Sequence, residues 1–122
     1  MKVLLSIKPQ FAVKIFDGTK KFEFRKSIFK NSKINTVVVY ASSPMQKVIG
    51  EFTFDEIMEE NPEVLWEKTK KHSGISKEFF DEYFFNRDKA FAIRVKEINQ
   101  YKTPLDLIDF DLNYAPQSFV YL

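Results

Sequence analysis

The chain has 122 residues, long enough for one domain with a sizeable core, and its 44% hydrophobic and 16% aromatic content excludes a disordered polymer. It contains no cysteine, which removes disulfides, thiolate chemistry and cysteine-held metals, and no stretch approaches the roughly 20 apolar residues of a membrane span. The net charge of +2 hides an asymmetry: residues 1–50 carry ten Lys/Arg against only Asp17 and Glu23, whereas residues 51–122 carry nine against fifteen acids. The positive half favours an anionic partner, nucleic acid first, and the acidic half offers a surface for a protein partner. A soluble, cytoplasmic protein is the expectation, with no cleavable leader in the N-terminal run and no cofactor or metal.

In chain order, "KVLLSI" (Lys2–Ile7) reads as a strand buried on much of both sides. "KPQFAVKIFDG" places proline where a first helical turn accepts it and Gly18 where a helix stops in a left-handed cap, with Phe11/Ile15 and Ala12/Phe16 forming one apolar stripe. "KKFEFRK" then alternates strictly. Phe22 and Phe24 point to one side, Lys21, Glu23 and Arg25 to the other. The phenylalanines read as core and the charged trio as one row on the opposite face.

"INTVVVYAS" (Ile34–Ser42) is a β-branched run ended by "SSP". "KVIGEFTF" predicts a strand with Val48, Phe52 and Phe54 inward and Ile49, Glu51 and Thr53 across, bent at Gly50. "FDEIMEENPE" reads as a solvated loop and helix start. "PEVLWEKTKKH" and "SKEFFDEYFF" read as helices, the second capped by Ser76, with Trp66, Phe79, Phe80, Tyr83 and Phe84 assigned to the core. "KAFAIRVKEI" and "QSFVYL" supply further strands. Five or six strands with inserted helices, and too few residues for two sheets, give an α+β fold: a small barrel spanning 1–122 as a single domain.

Several of these segments, in order, resemble the ASCH domains of the PUA-like superfamily: "SIKP", then a helix, then "GTKKFEFR" in the pattern G-x-K-x-x-E-x-R, then "VVVYASSP", "VIGEFTFDEI", "SGISKEFFDEYF", "AFAIRV" and "PQSFVYL". Gly18, Lys20, Glu23 and Arg25 fill the short motif. The resemblance implies a PUA-like β-barrel with a cleft beside the first helix that meets RNA or a nucleotide-like ligand. It also implies an alternative activity, because one group of small members is an amidohydrolase acting on N4-acetylcytidine through a lysine, a threonine and a glutamate. Lys20 stands at the lysine position, but Glu23 stands where that group has threonine, which weighs against catalysis.

The candidate site therefore comprises Lys20, Lys21, Glu23, Arg25 and Lys26, with Ser6 and Lys8 at the end of the first strand and Gln117 and Ser118 in the terminal motif. Glu23 and Arg25 lie about 7 Å apart along one strand face. A carboxylate so flanked serves to accept hydrogen bonds or orient the arginine, while Arg25 offers a planar fork for phosphate. Glu51, beside the space left by Gly50, is the later carboxylate for a catalytic partner. His72 is the only histidine and stands in a lysine-rich helix end, so neither a triad nor a zinc site has material to draw on. Three dispersed glycines exclude a phosphate-binding glycine loop.

Overall fold

A computed structural model describes residues 1–122. Six strands, β1 (Lys2–Ile7), β2 (Phe22–Arg25), β3 (Thr36–Ala41), β4 (Lys47–Glu60), β5 (Ala90–Leu105) and β6 (Phe119–Tyr121), form one mixed sheet in the order β2-β5-β4-β3-β1-β6. Only β1 and β3 run parallel; the other neighbouring pairs are antiparallel. The sheet curls into a half-barrel whose free edges are β2 and β6. Three helices, α1 (Pro9–Phe16), α2 (Pro62–Thr69) and α3 (Lys77–Tyr83), are inserted between strands. None is long and apolar enough to cross a membrane.

Strand alternation decides what each face covers. Val3, Leu5 and Ile7 of β1 and Val37, Val39 and Ala41 of β3 join Ala12, Ile15 and Phe16 of α1 in the main core. Their neighbours Leu4, Val38 and Tyr40 point the other way, under a cap from Leu105, Leu107, Phe110 and Leu112. That is why both strands read as continuous apolar runs. Phe22 and Phe24 of β2 pack outward with Leu65 of α2 and Phe80 and Phe84 of α3.

Two chain-order expectations give way. "FDEIMEENPE" is no loop: β4 runs through it to Glu60, because β5 continues to Leu105 and supplies partners as far as Ala90 opposite Glu60. Exposed acids there form cross-strand pairs such as Arg94–Asp55 at 2.8 Å, so a polar stretch is held as strand by its neighbour. Nor do Val48 and Phe52 share a face. A bulge at Ile49 and Gly50, with Val39 opposite Gly50 and Tyr40 opposite Val48, reverses the alternation. Val48 joins the Leu4 cluster, while Ile49 and Phe52 enter the main core.

The space left by Gly50 is filled by the ring of Phe16. A Cβ at Gly50 would lie 2.7 Å from Phe16 Cζ and 2.7 Å from the Asn99 carbonyl oxygen, so the missing side chain admits α1 to the sheet, not a ligand. Gly50→Ala is expected to cost about 1–3 kcal/mol in urea unfolding as α1 or β5 is forced outward. A change within about 0.5 kcal/mol would show that the close approach is not a constraint.

Candidate functional site

The residues of "DGTKKFEFR" are delivered by α1 and its cap. Gly18, at φ +86°, ends the helix, the Lys20 amide returns to the Lys14 carbonyl at 3.0 Å, and the chain enters β2. Both faces of β2 are then covered. Phe22 and Phe24 face the α2–α3 side, while Glu23, paired in register with the core residue Ile93, turns into the curl of the sheet. The charged row expected on an outer face is thus largely internal: the Glu23 and Arg25 side chains keep only 7% and 11% of their surface, and Lys21 alone stays exposed.

Arg25 bridges the two open edges. From β2 it donates Nη1 to the Ser6 carbonyl at the end of β1 (3.2 Å) and to Glu23 Oε2 (3.2 Å). Nη2 donates to the Ser118 carbonyl (3.1 Å) and Oγ (3.3 Å), immediately before β6. Ser6 Oγ adds a bond to the Pro116 carbonyl at 2.7 Å. Four directed bonds from one planar group use its fork against protein acceptors, so Arg25 closes the barrel and is not a free anchor for phosphate.

Lys20 is also internal, at 2% exposure. Its Nζ donates to the Ser73 carbonyl at 2.8 Å and lies 4.6 Å from the centroid of Phe24 and 5.4 Å from that of Phe11. Burial pulls its pKa down to about 8; Glu23 opposes this and Lys14 adds to it. Gly74 makes the burial possible. Its φ is +70°, and a Cβ there would sit 2.5 Å from Lys20 Cβ. Lys14 Nζ reaches the Gly74 carbonyl at 3.2 Å, so two lysines tie the segment before α3 to the end of α1.

These elements enclose a cleft of about 350 Å³. Glu23, Arg25, Lys20 and Phe24 form its floor; Ser6, Ile7 and Lys8 come from the end of β1, Phe11 from α1, Ile75, Phe79 and Tyr83 from the α3 side, and Gln117 from the terminal segment. Phe79 and Tyr83 lie 6.4 Å apart with planes 15° from parallel. Lys8 Nζ stands 5.4 Å from the Phe79 centroid and Lys26 Nζ 4.8 Å from that of Tyr83, both on exposed side chains. Burial raises the Tyr83 phenol pKa, keeping it an O–H donor, with Arg25 and Glu23 acting in opposite senses.

The cleft brings together Ser6, Lys8, Lys20, Glu23, Arg25 and Gln117; Ser118 stands behind Arg25 and Lys26 at the Tyr83 edge. Lys21 is not among the lining residues: its side chain is exposed and its amide donates to the His72 carbonyl at 2.9 Å. Glu51 is elsewhere on β4, bonded to Lys2 Nζ at 3.1 Å and to the Tyr101 hydroxyl at 2.8 Å, so it supplies no second carboxylate here. Phe79 and Tyr83, assigned from sequence to the core, line the cleft, Tyr83 while also packing against the Phe80/Phe84 cluster. The signal lay in α3, which carries two i,i+4 aromatic rows: Phe80/Phe84 faces the core and Phe79/Tyr83 the cleft. No three His, Asp or Glu side chains gather as metal ligands.

Lys20 sets a pH dependence. Its folded pKa lies below the ordinary 10.5, so the cost of burying its charge is fully present below pH 8 and fades as the folded state releases the proton between pH 8 and 10.5. Measured against Lys20→Met, the wild-type chain should gain stability across that window, on the order of 3 kcal/mol for complete relief. Urea midpoints at its two ends provide the check; parallel curves would mean Lys20 titrates normally. Arg25→Met, which strands Glu23 at the seam, is expected to cost about 3–5 kcal/mol by the same measurement, with β6 amides losing hydrogen-exchange protection first.

No family model matches the chain. It is 32% identical over 120 residues to the large ribosomal subunit protein uL22 of Ureaplasma parvum serovar 3, covering 98% of this chain but 39% of that protein. Against the ASCH domain-containing ribonuclease of Zymomonas mobilis it is 27% identical over 96 residues, 79% of this chain and 65% of that one. The crystal structure of ASCH from Zymomonas mobilis superposes with a TM-score of 0.90 at 26% identity, over 99% of this chain and 87% of that one. With near-complete structural overlap, the chain has the fold of the ASCH domains, which is PUA-like.

Proposed function

We propose that this domain binds RNA, or a nucleotide-like ligand, in the cleft between α1, α3 and the closed barrel seam. The observation that carries the reading is the cleft's composition: aromatic faces from Phe79 and Tyr83, hydrogen-bonding groups from Glu23, Tyr83 and Gln117, and exposed ammonium groups of Lys8 and Lys26 beside the rings. Aromatic faces stack on unpaired bases and rim cations follow a phosphate backbone, the combination single-stranded nucleic acid requires. A cavity of about 350 Å³ accepts one unpaired base and its sugar but no duplex. The name of the Zymomonas mobilis relative, a ribonuclease, supports RNA as the polymer. Phosphate contact falls to Lys8 and Lys26, because Arg25 and Lys20 already serve protein acceptors.

Anisotropy titration of short single-stranded RNA should give affinity that falls as salt rises, by counterion release. The double variant Lys8→Ala/Lys26→Ala should lower the slope of log affinity against log salt by about 1.4, at about 0.7 per phosphate contact. Salt-independent binding, or an unchanged slope in the variant, would move the interface elsewhere.

A second reading, hydrolysis of an acylated nucleoside such as N4-acetylcytidine, is favoured by the low pKa of Lys20, which leaves a neutral amine available as a base above about pH 8. Glu23 in place of the hydrolases' threonine and the distance of Glu51 from the cleft count against it. Chromatography of N4-acetylcytidine incubations decides: cytidine released at a rate rising through pH 8 and lost in Lys20→Ala supports the enzyme, and its absence from pH 7 to 10 rejects it.

A further inference from the structure

The chemistry of the cleft floor implies which part of a ligand enters it. Both deep cations have protein partners: Arg25 donates to Ser6, Glu23 and Ser118, and the Lys20 ammonium donates to the Ser73 carbonyl. Glu23, 5% exposed, takes Arg25 through Oε2 alone. Its Oε1 receives no protein hydrogen bond, yet no buried side-chain oxygen lacks a partner, so Oε1 still opens onto the cleft. An ionised carboxylate oxygen is an acceptor only. It repels phosphate oxygens, and a ligand that covered it without an N–H would leave a desolvated, unpaired acceptor, a costly outcome.

Resting on the RNA reading above, we propose that the cleft receives a base edge-first, ahead of any phosphate, and that Glu23 is the specificity residue selecting bases with an exocyclic amine. Cytosine, adenine and guanine each project an amine beyond the ring, where a single carboxylate oxygen can accept from it, as Glu and Asp do from cytosine N4. Uracil has none. Its one N–H on that edge is recessed between two carbonyl oxygens, which the carboxylate repels. The plane of the base would lie against the Phe79–Tyr83 wall, leaving its phosphates at the exposed Lys8 and Lys26.

The test is a titration of the full chain with fluorescein-labelled oligomers of cytidylate and of uridylate, each about ten nucleotides. The cytidylate oligomer should bind about tenfold tighter, the worth of one hydrogen bond to a charged group. Free cytidine should displace it, and inorganic phosphate at the same concentration should not. Glu23→Gln should level the two oligomers, since an amide also donates to a uracil carbonyl. Because that variant weakens the Arg25 pairing as well, the wild-type comparison carries the decision. Equal or reversed affinities, or displacement by phosphate and not by cytidine, overturn base selection while leaving RNA binding intact. Failure to bind either oligomer removes the RNA reading, and this proposal with it.

Discussion

The fold depends on one guanidinium at the seam of an unclosed sheet. Strand-to-strand backbone hydrogen bonding links β2 to β6 only through the long way round, by β5, β4, β3 and β1. Across the short way, Arg25 spans the gap with bonds to a carbonyl at the end of β1 and to Ser118 before β6. A lysine, with one nitrogen, could not hold that geometry on several acceptors at once. Burying an arginine beside Glu23 carries a desolvation cost that the ion pair alone seldom recovers. Here the further acceptors complete the arrangement, and what they secure is registry: the terminal strand is pinned so that Gln117 enters the cleft mouth.

The same division runs through the other cations. Lys20 is buried on the Ser73 carbonyl, while Lys8 and Lys26 remain exposed beside aromatic rings. The positive excess of the first fifty residues therefore has two physical meanings that charge counting merges. Interior cations replace water with carbonyl oxygens and build the cleft walls. Exterior ones stay hydrated and available to a polyanion. Placing phosphate on Arg25, as its fork invites, mistakes a fastening for a contact.

How much of this was legible in the sequence follows from what each signal encodes. The β1 and β3 runs and the α1 cap are local, and local patterns located them. Alternation in "KKFEFR" separated Phe22 and Phe24 from Glu23 and Arg25 correctly, but it cannot say which side is solvent. In β2 neither is, since α2 and α3 cover one face and the curl of the sheet the other. The strand through Glu60 was hidden because its polar residues are held by β5, some 30 to 40 positions away in the chain. At Gly50 the absent side chain was visible, yet its occupant, Phe16, comes from another element. The Phe79/Tyr83 row was missed because its period matches that of the core row beside it. The three charged residues of the motif G-x-K-x-x-E-x-R, Lys20, Glu23 and Arg25, line one cleft, whereas Glu51 carried no pattern tying it to them.

Lys20 is where binding and catalysis come closest. Its place is held by packing against Phe24 and by a bond to the Ser73 carbonyl that a neutral amine can still donate. Losing the proton near pH 8 would thus leave the floor's shape largely intact while adding a lone pair where there was none. Whether that lone pair does chemistry depends on a reacting atom being held in reach and on a polarising group opposite it. Three positions on from Lys20 the chain brings the Glu23 carboxylate, whose charge repels the electron-rich oxygens of an amide or phosphate. A floor furnished in that way is better matched to accepting hydrogen bonds from an intact base than to stabilising an oxyanion.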